Sequence, residues 1–323
     1  YGNNFDILVL KFNTRRWKTT MTNFTDMNRQ DQQAYLMKPI IDELKQVGGQ
    51  STTKDLKRAV VENDKNIPEN ILTMYKTSRK GRKYLPFNFA FNFAISNLIM
   101  ARMLERPKQG IVTLTEKGRQ YNGTSEELSN SVYKISLPQW QEKINKNKKV
   151  KNSQKDIKED EAITDEEDWK SKLLDALLSL SPAKFELFCR GLVTKMNVDI
   201  DENIGTKLTG DGGLDGYGYI RTDDFRTARV AIQAKRWDPS NSVSSPEIDK
   251  FRGAMDKFRA EYGIFITTST FTRDAIKTSR AGTRVITLID GDHLLDLVAK
   301  YELYVTKKVV TTYELNDFFE DKD

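Results

Sequence analysis

Two short motifs in the second half of the chain contain residue types that could form one chemical centre. Asp215 belongs to the Gly-rich segment 209–216, and Gln233 and Lys235 follow it by eighteen and twenty residues. A carboxylate binds hard divalent cations such as Mg²⁺, an amide oxygen can add a ligand, and an ammonium stabilises charge on a phosphate. The combination indicates metal-dependent phosphodiester hydrolysis.

The segment 229–236 is predicted to be the strand that positions this chemistry. Its side chains alternate between two faces, because successive residues of a strand point to opposite sides. One face is apolar and should pack on the core: Val230, Ile232 and Ala234. The other face carries the candidate chemistry: Ala231, Gln233 and Lys235.

Each of these residues also has an ordinary structural interpretation. Asp215 precedes a glycine, as Asp does in many hairpin turns, and Asp211 in the same segment is interpreted as a turn former. Lys235 could be a strand-end side chain directed to solvent. Arg236 is open between phosphate contact and surface charge. The Gln-x-Lys segment downstream of Asp215 favours the catalytic interpretation.

Together these motifs resemble the catalytic domain of Mrr-type restriction endonucleases, a branch of the PD-(D/E)xK nucleases. The resemblance covers about 169–304 and continues through segments 185–187, 251–254, 263–269, 271–275 and 288–291. It implies a mixed β-sheet flanked by helices, a Mg²⁺ or Mn²⁺ cofactor and a double-stranded DNA substrate. It also implies that Asp215 is the catalytic aspartate and that the usual setting is defence against foreign DNA, often with dependence on methylated bases.

Gln233 stands where many PD-(D/E)xK nucleases have Glu or Asp. Its amide oxygen can bind a cation but brings no charge, so another carboxylate is expected to share the site. Glu186 is the candidate, because helical phase places it at the edge of an apolar helix stripe. The alternative is that Glu186 is an ordinary exposed helix residue.

Composition excludes several other kinds of hydrolase. The chain has one Cys and one His, which removes disulfide frameworks, Cys-based zinc sites and Ser-His-Asp triads. Cys189 is predicted to be a core residue, because it lies on an apolar helix stripe. Hydrolysis must therefore use carboxylates, Lys and a hard cation.

The positive charge of the chain is concentrated in its first part. Residues 1–140 carry a net charge of +9, residues 141–168 carry −2 and residues 169–323 carry −1. This distribution predicts that the first part binds a polyanion. Five residues form a basic segment, interpreted as a phosphate contact or as a solvated loop: Lys76, Arg79, Lys80, Arg82 and Lys83. Asn88 and Asn92 form a polar helix stripe with Ser96, which could read adenine edges or simply face solvent.

We expect two folded domains. Three helices followed by a short hairpin predict a winged helix over 24–140, and this part also resembles the N-terminal domain of Mrr proteins. Alternating helices and strands predict an α/β nuclease domain over 169–305. The charged segment 141–168 is interpreted as a linker, disordered or partly helical, with an extension at 1–23 and a tail at 306–323.

The functional expectation is a DNA endonuclease of a restriction system. The alternatives are a winged-helix regulator that no longer cuts and a DNA-repair nuclease. Cutting both strands with one active site per chain predicts a homodimer or higher homo-oligomer. The first residues lack a secretory signal and no membrane span is expected, so the sequence predicts a cytoplasmic protein.

Overall fold

The structure is a computed structural model, and it describes residues 23–78, 81, 83–150, 165–201 and 214–308. The side chains of 144–150 and 165–168 are outside this description. The described residues form an N-terminal domain (23–150) and a C-terminal domain (165–308). Within these ranges, no helix is both long enough and apolar enough to cross a bilayer.

The N-terminal domain combines helices with two small antiparallel sheets. Its helices are α1 (Arg29–Gln46), α2 (Thr53–Asn63), α3 (Pro86–Met100), α4 (Glu116–Gln120) and α5 (Ser125–Val150). Its strands are β1 (Gln50–Thr52), β2 (Lys76–Thr77), β3 (Lys83–Tyr84), β4 (Leu104–Lys108) and β5 (Ile111–Leu114). Antiparallel β1, β5 and β4 form one small sheet, and β2 pairs with β3 as a separate hairpin.

Local sequence explains where the first helices begin and end. Asn28 and Thr52 accept hydrogen bonds from the third backbone amide of α1 and α2, which satisfies a donor that the helix itself leaves unpaired. After α1 the backbone turns through Gly48, whose φ of 87° is costly for other residues. The expected helix with a glycine stop is confirmed.

The C-terminal domain contains one mixed five-stranded sheet. Its helices are α6 (Asp165–Ser179), α7 (Pro182–Lys195), α8 (Ser245–Lys257), α9 (Arg273–Arg280) and α10 (Gly291–Tyr301). Its strands are β6 (Val198–Ile200), β7 (Gly216–Arg221), β8 (Thr227–Lys235), β9 (Tyr262–Thr267) and β10 (Ile286–Ile289). In the order β10-β9-β8-β7-β6, β6, β7 and β8 are antiparallel, whereas β8, β9 and β10 are parallel. The predicted fold class is confirmed.

Strand β8 is the central strand, and both of its faces are buried. Val230, Ile232 and Ala234 pack with α6, α7 and α10, as the alternation predicted. The opposite face is also covered, since Ala231 packs with α8 and α9 and Gln233 is buried. Helices cover both sides of this central strand, so the chemical face of β8 opens only near its end.

The predicted linker 141–168 is helical at both described ends. Helix α5 continues from the N-terminal domain to Val150, and α6 begins at Asp165. The segment 151–164 lies outside the described residues, as do the proposed extension before residue 23 and residues 309–323 of the proposed tail. These boundaries therefore stay predictions, except that α5 does not stop at residue 140.

Polar contacts join the two domains. An interdomain cluster connects α2 to α6 and α10 through six charged residues: Lys54, Lys57, Arg58, Lys170, Asp292 and Asp296. Arg273 forms a second connection, because its guanidinium donates to backbone oxygens at the end of α2 and in the loop that follows: Val61, Glu62, Asp64 and Ile67. The relative position of the domains is therefore fixed by directional hydrogen bonds.

Candidate active site

The turn before β7 places Asp215 directly beside β8. The backbone amide of Asp215 donates to the carbonyl of Ile232 at 2.9 Å. Its carboxylate oxygen Oδ2 accepts a 2.8 Å hydrogen bond from the amide of Ala234 and another from the side chain of Gln233. The predicted meeting of Asp215 with the Gln-x-Lys strand is thus present in the structure.

Helix α7 brings Glu186 to the same place. Burial raises the pKa of the Glu186 carboxyl, and the negative charge of Asp215 raises this pKa further. Arg190 and Lys235 act in the opposite direction on the same pKa. The effect of Asp215 on this pKa indicates that Glu186 lies within electrostatic range of Asp215, and its role in the site stays a prediction.

The environment of Asp215 also raises the pKa of its carboxyl. Burial is the main cause, since it removes water from the charged form. The hydrogen bonds from Ala234 and Gln233 and the positive charges of Lys235 and Arg190 oppose this rise without cancelling it. Two partly desolvated carboxyls with raised pKa values within electrostatic range of each other are typical of a functional site, and a bound cation would stabilise their ionised forms.

Lys235 is the last residue of β8, and hydrogen bonds from the end of β9 hold its backbone carbonyl in place. Its carbonyl accepts from the Thr267 hydroxyl at 2.8 Å and from the Thr268 amide at 3.3 Å. Within the described part of the chain, its ammonium has no hydrogen-bond or ion-pair partner. The backbone of Lys235 is therefore held in place, and its ammonium is available to contact a phosphate.

The oxygen donors fit a hard divalent cation. Mg²⁺ usually binds one or two carboxylates and keeps several waters, and Asp215 with Glu186 supplies two carboxylates. Among the described residues, no three His, Cys, Asp or Glu side chains gather closely enough to bind a metal by themselves. This agrees with the sequence, since Gln233 replaces the third acid and offers an amide oxygen.

Cys189 lies on the buried side of the same helix. Burial raises the pKa of its thiol well above the ordinary value, and the charges of Asp215 and Glu186 contribute. A thiol in this environment stays protonated and packs as a small apolar side chain. Its predicted role as a core residue is confirmed.

The basic segment is only partly described. Lys76 lies exposed in β2, and Lys83 in β3 forms a 2.6 Å ion pair with Asp175 of α6. Arg79, Lys80 and Arg82 lie outside the described residues, as does Asp211. The β2–β3 hairpin therefore contacts the C-terminal domain, and its role as a phosphate contact stays a prediction.

The polar stripe of α3, which could contact base edges, faces a cavity between the domains. Asn88 accepts a 3.1 Å hydrogen bond from the Lys57 ammonium, and the exposed Asn92 lines the same cavity. This cavity has a volume of about 580 Å³ and is also lined by Lys170 and Asp292 of the C-terminal domain. Base contacts by these asparagines stay a prediction, and they require access to this cavity.

Arg236 makes a contact within the protein. Its Nη1 donates to the carbonyl of Leu178 at the end of α6 at 2.6 Å, and its Nε is buried without a hydrogen-bond partner among the described residues. This geometry favours a structural role, and phosphate contact by Arg236 stays a prediction.

Arg190 was not singled out from the sequence. It lies four residues after Glu186 on α7, and its Nε donates a 2.8 Å hydrogen bond to the backbone carbonyl of Asp215. The four-residue spacing from Glu186 was a usable signal, because residues i and i+4 share one helix face. Arg190 therefore adds a second positive charge, besides that of Lys235, near the two carboxylates.

A mixed sheet with Asp, Gln and Lys at adjacent strand ends, and a Glu on the preceding helix, is the arrangement that the resemblance to PD-(D/E)xK nucleases implied. Two family models match the chain: "Restriction endonuclease" over residues 177–298 and "Mrr N-terminal domain" over residues 34–123. Together they cover more than half of its length. The chain belongs to the family of Mrr-type restriction endonucleases.

A curated relative supports this assignment. The chain is 33% identical over 165 residues to the type IV methyl-directed restriction enzyme EcoKMrr of Escherichia coli strain K12. The match covers 50% of this chain and 50% of the relative, so the chain spans about half the length of the curated relative that it matches.

Two solved structures show a weaker likeness. The DNA modification-dependent restriction endonuclease AspBHI is 16% identical with a TM-score of 0.37, over 62% of this chain and 56% of that chain. The restriction endonuclease MspJI, in complex with a 27-mer oligonucleotide, is 21% identical with a TM-score of 0.36, over 47% and 35%. Both TM-scores are low, so the family assignment rests on the sequence matches.

Proposed function

We propose that this protein is a DNA endonuclease of a host-defence restriction system, that it requires Mg²⁺ or Mn²⁺, and that it acts on methylated DNA. One observation carries the proposal. Asp215, Gln233, Lys235 and Glu186 converge at the ends of β7, β8 and α7, with Asp215 hydrogen-bonded to the β8 backbone. This set contains the groups that cation-dependent phosphodiester hydrolysis needs.

Each residue has a distinct role in this proposal. A bound divalent cation would supply Lewis acidity towards the phosphate and lower the pKa of an attacking water. The carboxylates of Asp215 and Glu186 would bind it, with the amide oxygen of Gln233 as a neutral ligand. Lys235 would orient the attacking water and offset negative charge on the phosphate. Electrostatic stabilisation is favoured over general-base action, because nearby negative charges favour the charged form of an amine.

The N-terminal domain would select the DNA. Its excess of basic residues favours phosphate contacts, and the polar stripe of α3 would contact base edges in the major groove. The relative EcoKMrr is named a methyl-directed enzyme, which supports methylated DNA as the substrate class. A homodimer would place one active site on each strand of the duplex.

The test compares methylated and unmethylated plasmids of the same sequence, each incubated with the purified full chain and Mg²⁺ or Mn²⁺. Cleavage of the methylated plasmid, and its suppression by EDTA, is the expected result. A Lys235→Ala preparation made in parallel controls for contaminating nuclease. Equal cleavage of both plasmids would refute methyl dependence, and no cleavage with either metal would refute the nuclease function.

A further inference from the structure

Arg190 connects helix α7 with the turn that presents Asp215. Its Nε donates a 2.8 Å hydrogen bond to the backbone carbonyl of Asp215. Glu186 lies one helical turn earlier, so both side chains extend from the same face of α7. One bond therefore links the element that carries the first carboxylate to the element that carries the second.

Gly216 leaves the space through which the Arg190 side chain passes. A Cβ added at Gly216 would lie 3.5 Å from the Cγ of Arg190 and 3.3 Å from the Cδ1 of Ile232. The stem of Arg190 thus packs directly on the first residue of β7, between α7 and β8. The hydrogen bond and this packing act on the same turn, and both limit its movement.

We propose that Arg190 is a positioning residue for the cation site, because it fixes the Asp215 turn against α7 so that the carboxylates of Asp215 and Glu186 face one cation. The inference rests on the proposed function. It also explains how a site with a neutral Gln233 in place of an acid can bind a cation, since the separation of its two carboxylates is held constant. Arg190 acts through Asp215 and needs no contact with the DNA.

Loss of this bond should weaken cation binding more than it weakens the fold. Changes to residues that orient metal ligands typically reduce metal affinity or activity by about 10–100-fold. We expect Arg190→Met to raise the Mn²⁺ concentration for half-maximal cleavage by about tenfold or more. Its melting temperature without metal should fall by no more than about 4 °C, the change expected for one hydrogen bond in a domain of this size.

The experiment uses the full chain and two readouts. The first is plasmid cleavage as a function of Mn²⁺ concentration. The second is the rise of the melting temperature with Mn²⁺ in the absence of DNA, which reports cation binding without catalysis. Lys195→Met is the matched control, because Lys195 is an exposed cation at the end of the same helix. DNA affinity is measured in EDTA for each variant.

The expected result is a higher Mn²⁺ requirement in both readouts for Arg190→Met, with wild-type DNA affinity, and no change for Lys195→Met. An unchanged Mn²⁺ requirement in either readout overturns the proposal, as does a loss of DNA affinity that accounts for the whole defect. If Arg190→Met does not fold, Arg190→Lys takes its place. Lys keeps the stem but offers a different donor geometry, so a wild-type Mn²⁺ requirement would overturn the proposal.

The failure of the proposed function is distinguishable. Wild-type protein that Mn²⁺ stabilises but that cuts no DNA would refute the nuclease function, and the stability readout would still test Arg190. Wild-type protein that Mn²⁺ does not stabilise at any concentration would refute the cation site and, with it, the role of Arg190.

Discussion

Arg58 of the N-terminal domain donates two hydrogen bonds, of 3.1 Å and 2.8 Å, to a single oxygen of Asp292 in the C-terminal domain. The same guanidinium donates at 2.6 Å to Asp296, one turn further along α10. Asp292 is only 3% exposed, so this is a buried ion pair between domains. The pair connects α2 of the N-terminal domain to α10 of the C-terminal domain.

The Arg58–Asp292 pair should be important for stability. Arg58→Ala leaves a buried carboxylate with weaker partners, and removing one member of a buried pair typically costs about 3–5 kcal/mol. We expect the free energy of unfolding in urea to fall by about 3 kcal/mol. Arg226→Ala is the control, because Arg226 is 71% exposed in its pair with Asp223 and exposed ion pairs contribute little to stability. Equal decreases in the unfolding free energy of the two variants would contradict the stabilising role of the buried Arg58–Asp292 pair.

Acid should weaken the ion pairs of the interdomain cluster. The positive charges of Lys57, Lys170 and Arg58 lower the pKa of Asp292 despite its burial, and Lys170 and Lys54 lower that of Asp296. A lowered folded-state pKa gives stability that is present above the unfolded value of about 3.9 and is lost as pH falls through the folded value. Unfolding free energy measured from pH 6 downwards should therefore drop below about pH 4.

Neighbouring groups make this acid dependence specific to the cluster. Asp290 and His293 lie beside the cluster. Burial raises the pKa of Asp290 and lowers that of His293, so each affects the pH dependence of the unfolding free energy differently from Asp292 and Asp296. The Asp292→Asn and Asp296→Asn double variant should lose most of the drop below about pH 4. A double variant with the full wild-type drop would assign the acid sensitivity elsewhere.

Removal of either catalytic group should abolish cleavage without abolishing DNA binding. Asp215→Ala removes the carboxylate bound to the β8 backbone, and Lys235→Ala removes the ammonium at the end of that strand. Each change should reduce the cleavage rate by about 10² or more, because electrostatic groups at developing charge typically contribute this much. DNA affinity in EDTA should stay within a few-fold, and Lys277→Ala on the exposed face of α9 should cleave normally. Retained cleavage by either active-site variant would refute the assignment.

The basic segment should account for much of the salt dependence of DNA binding. Neutralising all five residues to Gln should flatten the slope of log affinity against log salt by about 0.9 for each phosphate that the protein no longer neutralises. The set is Lys76, Arg79, Lys80, Arg82 and Lys83. The slope is measured by fluorescence anisotropy of labelled duplex DNA over a salt series. An unchanged slope would show that the segment is only a solvated loop.

Asp175 offers a matched comparison for the same surface. It forms an ion pair with Lys83, so Asp175→Asn should release that ammonium and strengthen DNA binding modestly. The slope should become steeper rather than flatter. Neutralisation of Lys83 and neutralisation of its partner therefore have opposite expected effects on the slope, and observing both would show that the charge of this surface acts on DNA binding.

The C-terminal fold and the contact of Asp215 with β8 were predictable because their signals are local. Alternation in β8 and the Asp-Gly turn each depend on residues close in sequence. The contact between Asp215 and Gln233 followed from strand pairing, in which Gly216 lies opposite Ile232. A short turn and a hairpin bring such residues together with few alternatives.

Contacts between distant segments could not be predicted in the same way. Arg273 is an ordinary first residue of a helix in the sequence, yet it donates to backbone carbonyls about two hundred residues earlier. The continuation of helix α5 beyond residue 140 was one of two alternatives left open, because a charged segment without Gly or Pro fits a linker and a solvated helix equally well. Arg190 combines a local signal with a distant contact. Its four-residue spacing from Glu186 was visible in the sequence, but its hydrogen bond to the backbone carbonyl of Asp215 was not.

The cavity beside α3 has a thermodynamic consequence for recognition. Its volume of about 580 Å³ is far smaller than a DNA duplex, and part of its lining belongs to the C-terminal domain. If Asn88 and Asn92 read bases, the binding-competent form is the one in which the domains have separated. The observed dissociation constant then equals the intrinsic constant divided by the fraction of open molecules. Each tenfold decrease in that fraction weakens DNA binding tenfold, so the closed population itself would limit how often the enzyme engages DNA in the cell.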